Sequence, residues 1–553
     1  MLVSLTIFLP ALAAVLVLLM PKALARVIAL AATLGTLALA AMLYLGFDPN
    51  AVTEALPQMA ERSGAWLPGT DVTYFVGIDG LNVLLVLLVA LLGPIAVGAA
   101  WGGLRDDAGD DTAYGGQKGF FALMLLLQTG LLGVFCAFDL FLFYVFFEVV
   151  LIPMYFLIAI WGRDTKEQES GRAALKFVIY TLVGSLLMLV GVLWMGYAAG
   201  NVVNGGVFTT DYYDLLRFAV PAEAQTILFV LFGLAFLIKA PLFPLHSWLP
   251  GAYRAAPLAA TVLLAAVMGK MGTYGLLRFV VPMFPNAAMA LAPTIGVLAA
   301  IGIVWAALVA YAQKDVKGLI AYSSVSHLGF IVLGLFAFTT EAVQGALIQM
   351  TNHALSTGAL FLLAGFLYRR RGTYDLDQLG GVAKTLPALT FFTMLAVFAS
   401  SGLPGLNGFV GEFLILLGAF KSTLIGPVVV GVATSGVIFA AVYLLWMAYK
   451  TFFGPAKTEA EGTRDLSFGE LALVLPLAIG MVWLGMGPMP FLNQSEAAVV
   501  DLLEVTASKA ALVETAEVAA TQSGVPFEGA VLPWPVEPTG ESPTVEDLAE
   551  GRP

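Results

Sequence analysis

Four ionisable residues lie inside long apolar runs: Glu148 in FYVFFEVVLIPMYF, Lys239 in LAFLIKAPLFPLHSW, Lys270 in LLAAVMGKMGTYGLL and Glu412 in LPGLNGFVGEFLILL. A charge held at the centre of a bilayer costs about 2.5–3.5 kcal/mol on insertion scales, so a chain keeps one only where something compensates. Two acids and two bases can pair, which lowers the desolvation cost of each while leaving protons able to pass between them. The chain has three histidines, His246, His327 and His353, all in or beside apolar runs rather than in polar loops. An imidazole titrates near neutrality and can take a proton on one ring nitrogen while releasing one from the other. Together these residues read as a proton relay inside a membrane. The alternatives are static ion pairs that fix helix register and hydrogen-bonded core histidines.

The elements that must hold such residues are membrane helices. Of 553 residues, 60% are apolar and 11% charged, against about 45–50% and about 25% in an ordinary soluble domain. Crossing a bilayer takes about 20 residues of helix, and apolar stretches of that order suggest spans near 3–20, 27–46, 80–101, 119–138, 140–161, 175–197, 225–250, 257–279, 287–311, 318–338, 342–368, 386–420, 424–449 and 470–489. The expected fold is therefore an all-α polytopic membrane protein of about fourteen transmembrane helices. The first run is followed, not preceded, by the basic residues Lys22 and Arg26, the wrong order for a cleaved signal peptide. With the N-terminus outside, eighteen basic residues fall in inner connections and six outside, namely Arg62, Arg217, Arg278, Lys421, Lys509 and Arg552. The positive-inside tendency then puts both termini on the outer side.

Two spans are interrupted at comparable places. Pro241 and Pro244 follow Lys239, and Pro404, Gly405 and Gly408 precede Glu412. Freed backbone groups are tolerated at membrane depth only where protein or water satisfies them, so each break implies a hydrated cavity. The breaks fall in the seventh and twelfth spans, an odd offset that gives two inverted five-helix repeats; two unrelated proline kinks are the alternative. The expected organisation is residues 1–110 as helices 1–3, 111–284 as the first repeat, 285–455 as the second, 456–492 as the last span and 493–553 as a tail.

Cys136 is the one cysteine, which excludes disulfides and multi-thiolate clusters within the chain. No glycine-rich nucleotide loop is present, so no cofactor is expected in this chain. The tail holds eleven acids against Lys509 and Arg552 and leaves the rest of the chain near neutral, a charge unsuited to nucleic acid or anionic lipid. Residues 495–520 read as a surface helix packed on protein, and the proline-bearing 524–553 as extended or disordered.

The motifs GIDGLNVLLVLL (77–88), FYVFFEVVLIPMY (143–155), KAPLFPLHSWLP (239–250), KDVKGLIAYSSVSHLGF (314–330), QMTNHALSTGALFLLAGFLY (349–368) and SGLPGLNGFVGEF (401–413) resemble the antiporter-like subunits of NADH:quinone oxidoreductase, respiratory complex I. Relatives of that family occur in multisubunit Na⁺/H⁺ antiporters and membrane-bound hydrogenases. An acid at position 412 resembles the M-type members (chain 4), since L- and N-type members usually carry lysine there. The resemblance implies that Glu148 and Lys239 form a coupling ion pair, Lys270 is the central proton carrier, and Glu412 is the terminal group near the outer exit. His246, His327 and His353 would line the hydrated axis. It further implies a bacterial inner-membrane subunit that moves protons as quinone is reduced elsewhere, an enzyme only as part of its complex. FMN, iron–sulfur clusters and quinone would reside in partner subunits, and L-type and N-type membrane-arm subunits would be neighbours. A sodium/proton antiporter or hydrogenase subunit, and a structural membrane spacer, are the competing readings. The sequence departs from the family at LPGAYRAAPLAATVL (249–263), where Tyr253 stands in place of a common histidine beside Arg254, which bears on the inner access route.

Overall fold

The computed structural model describes residues 1–49, 51, 57–102, 116–164, 169–455, 457, 464–523, 527 and 529–533. The chain runs through α1 (Leu2–Leu19), α2 (Lys22–Gly46), α3 (Val83–Ala99), α4 (Gly116–Cys136), α5 (Leu140–Trp161), α6 (Ser170–Val203), α7 (Ala222–Lys239) and α8 (Leu258–Met283). It continues through α9 (Pro285–Tyr311), α10 (Val316–Leu335), α11 (Thr340–Arg371) and α12 (Pro387–Ser400). α13 (Asn407–Lys421), α14 (Pro427–Phe453), α15 (Phe468–Met486) and α16 (Glu496–Ser523) complete the order. Among the described residues twelve helices are long and apolar enough to cross a membrane, while α3 and α12 are apolar but shorter. The protein is a multi-pass helical membrane protein: the twelve long helices correspond to twelve of the fourteen expected spans, and α3 and α12–α13 fall at the other two, 80–101 and 386–420.

Local chemistry sets the helix starts. Asp139, Asp315 and Thr339 cap α5, α10 and α11 by accepting from the backbone N–H of Leu142, Gly318 and Ala342, and Ser467 with Glu470 forms a capping box on α15. α11 stops at Gly372, whose φ of 68° suits a residue without Cβ.

Both proline-bearing breaks are present. The span expected over 225–250 is helical only to Lys239, and 240–248 runs irregularly into a short helix, Leu249–Ala255. The Trp248 indole N–H donates to the freed Ile238 carbonyl at 2.9 Å, a buried partner of the kind that irregular backbone at this depth requires. The span expected over 386–420 divides into α12 and α13, joined through Gly402 and Gly405 at φ of 72° and 91°. Gly408 lies against α12 so closely that a Cβ would come within 2.0 Å of the Ala399 carbonyl oxygen.

The bundle is polar at its centre. α8, α10 and α11 are 100%, 94% and 100% buried and have mean hydropathies of 1.4, 1.6 and 1.2, whereas the peripheral α1, at 39% buried, reaches 2.7. Lipid-facing helices need continuous apolar surface, and helices enclosed by protein can carry the functional polar groups.

One end of the bundle is covered by extra elements. Strands β1 (Gln58–Ala65) and β3 (Thr73–Ile78) form an antiparallel pair, and β2 (Thr70–Asp71) pairs with β4 (Phe208–Thr209). β5 (Phe218–Ala219) pairs with β6 (Ala530–Val531). The tail helix α16 lies at this end, burying Val499, Leu502, Leu503 and Val513, with the Lys509 ammonium donating to the Leu215 carbonyl at 3.1 Å. The expected protein partner of this helix is thus, at least in part, the chain itself. Residues 530 and 531, expected to be extended or disordered, are paired strand; all of 534–553 lies outside the described residues.

Candidate proton relay

Four of the seven candidate residues meet along the centre. On α8, Lys270 is flanked by two π-helical stretches, Leu264–Met268 and Leu276–Val280, a distortion common at functional sites. Its ammonium lies 2.7 Å from His353 Nδ1 on α11 and donates to the Ala265 carbonyl at 3.2 Å. The His353 and His327 rings are 5.6 Å apart between centroids. His327 on α10 in turn places Nδ1 2.7 Å from Glu412 Oε1. All four side chains are buried.

The next layer fixes this line. The Gln349 amide donates to Glu412 Oε1 at 3.1 Å. Asn352 donates to the Asn407 carbonyl at 2.8 Å, and Asn407 returns a bond of 3.0 Å to the Asn352 carbonyl, which clamps α11 to the first turn of α13 just before Glu412. On the other side of His327, Nε2 lies 3.3 Å from the Tyr443 hydroxyl, which donates to Ser323 at 2.9 Å. Gln349, Asn352, Asn407, Ser323 and Tyr443 are absent from the sequence-based set. Gln349, Asn352, His353 and Ser356 follow one another at steps of three, one and three on one apolar span, a polar stripe that helical periodicity alone makes visible.

Glu148 and Lys239 stand apart from this line. Among the described residues no ion pair joins them, although the two charges are close enough to act on each other. The Lys239 ammonium, fully buried, lies 4.5 Å from the centroid of the Phe147 ring and has no hydrogen-bond partner among the described protein groups. Glu148 Oε1 is likewise buried without one. The expected coupling ion pair is in this structure a separated pair, with the Phe147 face supplying the ammonium with a cation–π contact. Gly272 brings the Lys239 end of α7 against α8: a Cβ there would sit 2.4 Å from the Phe236 carbonyl oxygen and 2.6 Å from the Ala240 nitrogen. His246 packs among Trp305 and Phe243, at 4.7 and 5.7 Å between centroids. Its Nδ1 is buried with no partner among the described groups, so it has no direct link to Lys270.

Tyr253 is fully buried and donates to the Leu264 carbonyl at 3.4 Å, next to the Ala265 carbonyl that receives Lys270. Arg254 pairs with Asp315 at 2.9 Å at the end of the bundle opposite α16. Arg278, expected in an outer connection, is instead buried in α8 and paired with Asp79.

Two helices broken beside buried charges, enclosing a line of lysine, histidines and glutamate, define an ion-translocating membrane protein of the antiporter-like class. The chain belongs to the NADH:quinone oxidoreductase/Mrp antiporter transmembrane family, whose family model matches residues 137–438. It is 42% identical over 435 residues to NADH-quinone oxidoreductase subunit M of Pseudomonas aeruginosa, covering 78% of this chain and 82% of that one. To subunit M of Escherichia coli it is 40% identical over 473 residues, 84% of this chain and 89% of the relative. A chain of respiratory complex I from Thermus thermophilus superposes with a TM-score of 0.78 at 34% identity, over 91% of this chain and all (100%) of that one. A chain of the Mrp complex from a Dietzia species shares the fold with a TM-score of 0.75 at 22% identity, over 91% of this chain and 98% of that one.

Proposed function

We infer that this chain is the proton-translocating, M-type membrane-arm subunit of an NADH:quinone oxidoreductase. The observation that carries the reading is the line Lys270–His353–His327–Glu412, with contacts of 2.7 Å at each end and the two imidazole rings 5.6 Å apart between centroids at its middle, where His353 Nε2 has no direct hydrogen-bond partner among the described residues. A proton leaves the Lys270 ammonium for His353 Nδ1, and His353 releases one from Nε2 toward His327, which is the transfer an imidazole allows. His327 passes a proton to Glu412 through Nδ1. Lys270 is then neutral and is reloaded from the Arg254–Tyr253 end of the bundle. Glu148 and Lys239 supply the coupling: a change in their interaction alters the field at Lys270, and Gly272 keeps the two helices close enough for that field to be felt. His246 has its role on the Lys239 side of the chain and not in the central line.

Within this reading the chain divides into residues 1–110, the repeats 111–284 and 285–455, the last span 456–492 and the tail 493–553. The end that bears α16 faces outward, with both termini on that side of a bacterial inner membrane. FMN, iron–sulfur clusters and quinone belong to partner subunits, and L-type and N-type subunits flank the chain.

The Mrp-like fold keeps a cation/proton antiporter as the second reading, and its likeness at 22% identity is weaker support than 42% identity to a subunit M. A passive spacer has no use for a buried relay that costs several kcal/mol to hold in a membrane. Purification of the complex through a tag on this chain decides between them. The expected result is NADH:quinone reductase activity with flavin and iron–sulfur spectra in the same peak. A flavin-free complex with sodium-dependent proton exchange would overturn the reading in favour of the antiporter.

A further inference from the structure

On α8, Lys270, Tyr274 and Arg278 follow one another four residues apart, one turn at a time toward the end that carries α16. There a cavity of about 190 Å³ opens between the bundle and the tail, lined by Asp79, Arg278, Tyr212 and Tyr213 and by Gln494 and Asp501 of the tail segment. Solvent entering that cavity stands two helical turns from the central lysine of the relay.

Between them lies the Arg278 guanidinium, 2% exposed. Its Nη1 and Nη2 bind the two Asp79 carboxylate oxygens at 2.5 and 2.7 Å, and its Nε donates to the Tyr274 hydroxyl at 3.0 Å. The Tyr274 hydroxyl passes its own hydrogen to the Phe135 carbonyl at 3.0 Å. The rings of Phe138 and Tyr212 close over the guanidinium at 4.8 and 5.2 Å.

We propose that Arg278, anchored by Asp79, is an electrostatic barrier that stops protons in this cavity from running back to Lys270. Two physical facts carry it. A guanidinium has five N–H donors and no acceptor, and it does not lose its charge in proteins. A proton that reaches Asp79 therefore meets a group that cannot take it up: Nη1 and Nη2 donate outward to Asp79 and Nε donates inward to Tyr274, so the guanidinium offers no acceptor through which the chain Asp79–Arg278–Tyr274 could hand a proton on. A hydrated proton moving past the pair would also approach a fixed positive charge in a low-dielectric region, which is how an arginine excludes protons from a water-filled pore. The charged and titratable groups facing Arg278 are Asp79 from the turn before α3, Tyr274 on its own helix and Tyr212 and Tyr213 from the 208–219 connection, with Asp48 and Asp501 further out around the cavity.

The idea rests on Lys270 belonging to the relay, but its test needs no turnover. The whole complex is reconstituted in proteoliposomes without NADH, a pH step is imposed, and an internal dye follows its decay. Arg278→Lys keeps the charge and should stay as tight as the parent. Asp79→Asn with Arg278→Gln removes both partners, which avoids leaving one buried charge alone, and should leak at least about tenfold faster. Arg278→His makes the barrier switchable in one preparation: tight near pH 5.5, where the imidazole is charged, and leaky near pH 8.5, where it is not. Arg278→His and the neutral pair both as tight as the parent at either pH would overturn the proposal. Assembly with Arg278→Lys and with neither of the other variants would assign the pair a structural role alone, and overturns it too. A Lys270→Ala complex that still pumps would refute the relay reading without altering these leak rates.

Discussion

At the scale of single residues, the relay depends on groups whose roles differ by environment rather than by type. Lys270 touches an imidazole and a carbonyl, whereas Lys239 touches only aromatic faces. Besides those faces, the nearby acid acting on Lys239 is Glu148. Glu148→Gln should remove the field of that acid and lower coupled turnover by on the order of tenfold or more, since one unit of proton affinity corresponds to a factor of ten. The complex should still assemble, because Glu148 makes no ion pair among the described residues. Quinone-linked NADH oxidation and dye-reported pumping in proteoliposomes measure both, and near-parental pumping would remove Glu148 from the coupling. Asn352→Ala tests positioning. It removes the bond from the Asn352 amide to the Asn407 carbonyl and leaves Asn407 held only through the 352 backbone carbonyl, so Glu412 shifts relative to His327, and pumping should fall on the order of tenfold with stability reduced by about 1–3 kcal/mol. A pumping rate unchanged beside a lowered Tm would confine Asn352 to a structural role. The ionisable members of this site were legible because an apolar run makes any charge conspicuous. Tyr443 was not, and Gln349 and Asn352 showed only as a polar stripe on one helix; the fold alone places Gln349 on Glu412, Asn352 on Asn407 and Tyr443 on His327. Arg278 was misplaced for the opposite reason: a base near the end of an apolar run reads as a loop residue, and Asp79, its partner 199 positions away, gives no local signal.

At the scale of elements, the breaks were readable from Pro241, Pro244, Pro404 and Gly405, since clustered prolines remove helix hydrogen bonds and favour a kink or break, and glycine accepts positive φ. Their lengths were not: residues 240–248 leave the helix altogether, and only the Trp248 indole and the aromatic nest around His246 explain how that segment stays buried. The tail helix was legible in composition, but the surface it covers was not, because packing of α16 against 212–219 is set by the fold. Burial pushes the Lys509 amine down to about 7 from an ordinary 10.5. The undocked tail thus binds more protons than the docked tail between those values, so docking is weakened as pH falls from about 10.5 toward 7 and strengthened as it rises. Limited proteolysis of the tail in the assembled complex should slow with rising pH relative to an exposed control site. Lys509→Met should remove that difference and protect the tail at neutral pH; an unchanged pH profile in the variant would contradict the assignment. Truncation separates the parts. Among the described residues, loss of 524–553 removes the short β5–β6 pairing and the Leu532 backbone bond to Arg217, and it should leave turnover nearly intact. Loss from 496 onward exposes Val499, Leu502 and Leu503, at about 1.5–3 kcal/mol for each side chain uncovered, and should impair assembly as judged by native gels.

At the scale of the whole molecule, the least apolar spans, α8, α10 and α11, are the most enclosed, and they carry Lys270, His327 and His353. The peripheral helices screen them from lipid, while the breaks after Lys239 and before Glu412 bring irregular backbone into the interior of the bundle. In the proposed relay Lys270 is the one carrier through which protons from the inner end pass to reach Glu412. The most direct test is proton translocation by a complex carrying Lys270→Ala, reconstituted in proteoliposomes and driven by NADH. Electron transfer from NADH to an artificial acceptor that bypasses quinone serves as the measure of intact assembly. The account predicts parental rates with the artificial acceptor and a loss of both quinone-linked oxidation and acidification, by about tenfold or more. Full acidification per NADH oxidised, in an assembled Lys270→Ala complex, would contradict the relay.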